Sequence, residues 1–262
     1  MSKLLLFNVV KKVLVKLFYK LSYLSLKCIN TLNNSRVIDK DCYIVSDSCQ
    51  IPKLEDIYKL FLGFKTDGFF VEFGAYDGEY ASNASGLADL GWGGGYIEPV
   101  EEYFNQSVER HRNNKVSVIN CAIGECNCNV DISVGGALST ISKDVVGKFN
   151  SMEWSKGYHN GVFQSVEQRK LDDIFVEQGV PRDFDVLSVD VEGYEWKALK
   201  GYNIKEWSPK IVIIELHDNN MNYEMEWGEC NKLVRYFDQN GYRVVYKDFS
   251  NTVYVRKDIC QQ

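Results

Sequence analysis

The residues best suited to chemistry fall in four short, acid-rich stretches. The first is Val71-Glu72-Phe73-Gly74-Ala75-Tyr76-Asp77-Gly78-Glu79, where small residues let backbone approach a ligand closely. The second is Tyr96-Ile97-Glu98-Pro99, with Glu98 standing 20 residues after Gly78. A carboxylate at that distance from a glycine turn can accept hydrogen bonds from both hydroxyls of a ribose. The third is Asp190-Val191-Glu192-Gly193-Tyr194-Glu195, and the fourth is Glu215-Leu216-His217-Asp218-Asn219. Glu192, and after it His217, could take a proton from a reacting hydroxyl, while Asp190 assists or orients a cationic amino group. Each has a plainer reading: Gly74 and Gly78 as tight-turn residues, Glu98 as a surface acid before Pro99, and Glu192 as a helix-start acid favoured by the dipole.

The charge of the first turn separates two kinds of cofactor. Nicotinamide dinucleotides place a pyrophosphate against a G-x-G-x-x-G turn. Here Glu72 and Asp77 flank the turn and would repel a pyrophosphate. They suit the sulfonium and ammonium groups of S-adenosylmethionine (SAM). No metal ligand set is assigned. If Mg2+ were bound, Asp190, Asp218 and His217 are the groups that could converge on it, against the plainer reading of a polar loop.

These stretches need elements to position them, and the hydropathy pattern supplies them. Apolar runs at Phe69–Phe73, Tyr96–Glu98, Val116–Asn120, Asp185–Asp190 and Ile211–Leu216 read as strands. Helical spacing marks Leu54–Phe61, about 79–90, Val100–Val108, Leu171–Phe175, Tyr194–Gly201 and Cys230–Phe237. Gly93-Gly94-Gly95 reads as a turn leading into the second strand. Residues 129–168 read as irregular, with short strands near 130–133 and 162–167. Tyr242–Tyr246 and Thr252–Val255 read as a terminal strand pair. Alternating strand and helix predicts an α/β domain with a mostly parallel sheet and an antiparallel edge. Ligands of such sheets sit at the carboxyl ends of the strands, where all four acidic stretches fall.

E-F-G-A-Y-D-G, Y-I-E-P, V-I-N-C-A-I-G and D-V-L-S-V-D-V-E-G-Y-E-W-K-A-L-K-G, in that order over residues 68–216, resemble the motifs of the FkbM-type methyltransferases. The resemblance implies a class I Rossmann-like methyltransferase fold, with a seven-stranded, mostly parallel sheet and an antiparallel C-terminal strand. It implies SAM as cofactor and methyl transfer to a hydroxyl, often of a sugar. Carried over by position, Glu72, Gly74, Ala75, Asp77 and Gly78 would hold the methionine part, Glu98 the ribose, and Asn120, Cys121 and Ala122 would lie near the adenine. Family members often have Asp where this chain has Glu72, and Asn where it has Asp77.

The chain of 262 residues carries net charge −6. Residues 1–38 hold seven basic residues and no acid, so residues 39–262 carry −13. An acidic body argues against a nucleic-acid partner, because phosphate contacts need clustered Lys and Arg. In the N-terminal segment Lys12, Lys16 and Lys20 share one helical stripe and Val10, Val13, Leu14, Leu17, Leu21 and Leu24 another. That pattern predicts a basic amphipathic helix over part of residues 1–38. It would contact an anionic membrane surface through residues 1–30 or pack on protein. The acceptor is then expected to be a small-molecule or lipid-linked glycan, reached by an enzyme in the cytoplasm or at the inner face of a membrane. The eight cysteines lack a C-x-x-C pair and read as free thiols. His111 reads as structural. Trp154, Lys156, Tyr158 and His159 in the long segment 134–161 read either as part of a substrate lid or as local packing. The competing functions are a NAD-dependent oxidoreductase and a non-catalytic, membrane-associated scaffold.

Overall fold

The structure is a computed structural model, and it describes residues 42–218, 220, 223 and 227–261. The basic segment, and with it the expected amphipathic helix, lies outside the described residues. The chain divides into Met1–Cys42 and Tyr43–Gln262, and the fold below is that of the second unit.

Among the described residues ten strands form two sheets. The large sheet contains β1 (Phe69–Phe73), β2 (Gly93–Ile97), β3 (Val116–Ile119), β7 (Val186–Val189), β8 (Ile211–Glu215), β9 (Tyr242–Lys247) and β10 (Asn251–Arg256). Their order is β3-β2-β1-β7-β8-β10-β9. The first five run parallel, and β10 is antiparallel to both β8 and β9. Alternation along β1 sends Phe70 to one core, with Trp92, Tyr96 and Ile213, and sends Val71 and Phe73 to the other, with Ile97, Leu187 and Val212. Both faces are covered, which is why the parallel strands read as continuous apolar runs.

The helices are α1 (Leu54–Leu62), α2 (Ser85–Asp89), α3 (Glu101–Arg110), α4 (Lys143–Ser151), α5 (Leu171–Glu177), α6 (Glu195–Leu199), α7 (Ile204–Trp207) and α8 (Trp227–Gln239). A small sheet forms beside the large one. In it β6 (Phe163–Arg169) pairs with β5 (Cys128–Ser133) antiparallel and with β4 (Ala122–Ile123) parallel. Residues 134–162 leave from the end of β5 and return at the start of β6, and α4 lies within them.

Three sequence expectations are corrected. The glycine triplet is strand, not turn: Gly93, Gly94 and Gly95 pair with Phe69, Phe70 and Val71. A Cβ on Gly94 would lie 2.6 Å from the Phe70 carbonyl oxygen and 2.8 Å from its ring, so the aromatic side chains of β1 need glycines beside them. The helix expected over 79–90 shrinks to α2, because the buried Glu72 carboxylate holds residues 82 and 83 in a turn. Finally, Cys126 and Cys128 are joined as a disulfide on the turn between β4 and β5, so those two cysteines are not free thiols.

Candidate active site

The strand ends of β1 and β7 approach so closely that only glycine fits between them. A Cβ on Gly74 would lie 1.5 Å from the Asp190 carbonyl oxygen, and Gly74 has φ +76°. The Asp190 N–H donates to the Phe73 carbonyl at 3.1 Å, locking the two ends together. Ala75 is buried beside them. Further along the turn, Asp77 Oδ1 accepts the N–H groups of Glu79 at 2.9 Å and Tyr80 at 2.7 Å. The Gly78 carbonyl meets His111 Nε2 at 2.8 Å. Asp77 and Gly78 lie outside the lining of both cavities described below, and they shape the turn. His111 is buried and stacked on Tyr96, a structural place.

Glu72 is buried and accepts the Ser82 hydroxyl at 2.5 Å and the Asn83 N–H at 2.8 Å. Burial raises its pKa, and these two bonds oppose the rise. At the end of β2, Glu98 accepts the N–H groups of Tyr76 at 2.9 Å and Val100 at 2.8 Å. Burial still pushes its pKa up to about 7. Asn120 is exposed and donates to the carbonyls of Glu98 and Pro99, bracing the loop behind the site. Cys121 and Ala122 are buried in the cavity wall, and burial pushes the Cys121 thiol up to about 12.

Two adjoining cavities open at these strand ends. The first runs between Glu98, Cys121, Ala122, Ile132 and Ile141. The second, larger and open to solvent, is lined by Glu72, Asn83, Trp154, Tyr158, Glu215 and His217 among others. Their common wall is Gly74, Tyr76, Gly136, Ala137, Asp190 and Glu192. Tyr76 (φ 48°) and Glu192 (φ 51°) both hold left-handed backbone there, a conformation that costs a non-glycine residue about 1–3 kcal/mol. The surroundings hold Glu192 in place: Thr140 Oγ1 donates to its carbonyl at 2.8 Å, and Glu195 Oε1 accepts the N–H groups of Val191 and Gly193.

Carboxylates crowd that wall. Oxygens of Asp190, Glu195 and Glu215 lie within 4.8 Å of one another. Asp190 Oδ1 and Glu215 Oε2 are buried without a hydrogen-bond partner. Burial first, then the charges of Glu215 and Glu195, push the Asp190 pKa well above the usual carboxylate range. His217 Nε2 lies 3.3 Å from Glu215 Oε1, and its ring stacks on Tyr223 with centroids 3.7 Å apart. Asp190 and His217 share the second cavity, but Asp218, the third group that could have served Mg2+, stands apart. Asp218 Oδ2 takes the Lys247 ammonium at 2.5 Å, and Asp218 is absent from the cavity lining. Glu195 and Glu215 complete the cluster instead. Glu215 stood in the fourth acid-rich stretch without a role of its own, inside the run Ile211–Leu216, and the end of β8 places it in the cleft wall.

Residues 134–162 reach over the second cavity. Within them His159 is buried, with Nδ1 2.9 Å from the Ser133 hydroxyl and its ring stacked on Phe149. Burial lowers its pKa, so it is a neutral pin of this segment. Trp154 and Tyr158 are exposed and face the cavity.

The donor set fits SAM. A sulfonium or ammonium would answer the orphaned oxygen of Asp190, the apolar walls of the first cavity suit an adenine, and Glu98 can serve ribose hydroxyls. This strand order, with a glycine turn after β1 and an acid ending β2, defines a class I Rossmann-like methyltransferase domain. The signature of the methyltransferase FkbM domain matches residues 72–244, well over half of the sequence, and the chain belongs to that family of SAM-dependent methyltransferases. No curated protein matches the chain. Among solved structures, an O-methyltransferase from Bacillus cereus in complex with SAH is 10% identical, with 81% of this chain and 84% of that one covered and TM-score 0.44. A putative rRNA methylase from Clostridium thermocellum is 10% identical, covers 76% of this chain and 91% of that one, and has TM-score 0.43.

Proposed function

We propose that this enzyme methylates a hydroxyl group of a sugar, on a free or lipid-linked glycan. The observation that carries the reading is the second cavity. Its lining combines the aromatic side chains of Tyr80, Trp154 and Tyr158 with carboxylates and an imidazole, and it shares a wall with the first cavity. Aromatic rings pack on the C–H faces of sugar rings, and carboxylates accept from their hydroxyls. SAM, when bound, supplies an electrophilic methyl group. The protein's own work is to position the acceptor oxygen, exclude water and take a proton. His217 is suited to that last task. Glu215 fixes its ring and stabilises the imidazolium that forms, the division of labour of a base and its orienting acid. Glu192, on the common wall, is suited to accept a hydrogen bond from the acceptor hydroxyl.

The test is transfer of radiolabelled methyl from SAM into a panel of glycans, with His217→Asn and Glu98→Ala alongside. His217→Asn should lower turnover by about 10²–10⁴-fold while leaving the affinity for S-adenosylhomocysteine (SAH) unchanged. Glu98→Ala should weaken SAH binding by about 1–3 kcal/mol. Label appearing on nitrogen or carbon instead of sugar oxygen would overturn the hydroxyl assignment.

A further inference from the structure

We infer that the sugar receiving the methyl group is uncharged or carries an amine, and that phosphate, sulfate and carboxylate groups are refused at the reacting end. This rests on the sugar-hydroxyl reading above and narrows its substrate class.

The charge inventory of the cleft is one-sided. The described residues lining the two cavities include Glu72, Glu98, Asp190, Glu192 and Glu215, and neither a Lys nor an Arg. Cations that occur beside the cleft already have partners: the Lys247 ammonium is on Asp218, and the buried Lys148 ammonium lies behind the wall residue Tyr223, 2.8 Å from its ring centroid. An anion on the acceptor would therefore meet the acids of this wall, with no Lys or Arg among the described lining residues to pair it.

Hydrogen-bonding capacity points the same way. Glu215 Oε2, on the second cavity alone, is a buried oxygen that lacks a donor. The Asn83 Nδ2 amide donor in the same wall already bonds Ser188 Oγ at 3.1 Å. A sugar hydroxyl or a protonated amine brings the donor that Glu215 lacks. A phosphate or an ionised carboxylate brings only acceptors and leaves that oxygen unanswered. The same inventory opposes an RNA acceptor, whose backbone needs clustered Lys and Arg.

The test uses the full-length protein loaded with SAH, its loading checked by calorimetry. Glucose, glucosamine, glucuronic acid and glucose 6-phosphate are titrated in parallel, together with a short single-stranded RNA, and followed by saturation-transfer NMR. Glucose and glucosamine should bind at least about tenfold tighter than the two anions. The gap should narrow in Glu192→Gln and in Glu215→Gln, each compared at saturating SAH. Equal or tighter binding of the anions, preferential binding of the RNA, or no binding of any probe by the SAH-loaded protein would overturn the inference. Failure of the folded protein to bind SAH would instead remove the reading on which it rests.

Discussion

Glu98 faces two opposed demands: burial favours its neutral form, while its role toward a ribose favours the charged one. With its pKa raised from 4.5 to about 7, the folded state binds more protons than the unfolded state between those values. Its contribution to stability is therefore full below pH 4.5, declines as pH rises, and is lost above about 7, a change of about 3 kcal/mol. Hydroxyl donors from a ribose favour the ionised carboxylate, so SAH affinity should rise from pH 5 to pH 8. Glu98→Gln should flatten both trends, as seen in thermal melts and in calorimetric titrations at several pH values. The comparison of wild type with variant isolates Glu98 from Asp190 and Glu72, which titrate in the same cleft. Gly74 makes a second demand. Gly74→Ala puts a methyl against the Asp190 carbonyl at a positive φ, so circular dichroism should show a melting temperature lowered by at least several degrees or no cooperative melt. At this scale the sequence was legible where charge and chain position agree, as at Glu98 and Asp190. It was not legible where a side chain is spent on its own turn. Nothing in the composition of Asp77 separates a ligand contact from a cap on two N–H groups.

Among the elements, the strands of the large sheet could be read because both of their faces are buried, which leaves no polar interruption in the run. The glycine triplet of β2 and the truncated α2 could not, because each depends on a partner distant in sequence: the Phe70 side chain in one case and the Glu72 carboxylate in the other. The segment 134–162 read as irregular because its burial is local. His159 and Phe149 anchor it below while Trp154 faces outward. That division predicts separable effects. Trp154 is 60% exposed, so Trp154→Ala should change stability by less than about 0.5 kcal/mol. SAH affinity should stay the same, because Trp154 lines only the second cavity. Loss of ring packing against an acceptor sugar should raise KM about two- to tenfold. Steady-state kinetics with a saturating cofactor measure the split. A change in SAH affinity equal to that in KM would mean the segment orders the whole cleft and does not serve the acceptor alone.

Over the whole molecule, charge is the property the chain distributes most unevenly. Seven basic residues and no acid in residues 1–38 stand against −13 in the remainder. No helix of the described residues is long and apolar enough to cross a membrane. A lipid-linked acceptor would still require the cleft to work at a bilayer surface, and the basic segment offers a way to hold it there. Each Lys or Arg near an anionic leaflet contributes about 1 kcal/mol, within a Debye length of about 8 Å at physiological salt. The acidic body is repelled by the same leaflet, so the net attraction depends on the segment alone. The full chain should therefore sediment with vesicles of mixed phosphatidylserine and phosphatidylcholine, and much less with phosphatidylcholine alone. Raising the salt to about 0.5 M should release it, because the Debye length then falls below the reach of the lysine side chains. A chain of residues 39–262 should remain in the supernatant under all these conditions and still bind SAH. Equal sedimentation with and without residues 1–38 would move the membrane contact to residues 39–262, and failure of the full chain to sediment would leave a glycan free in solution as the acceptor.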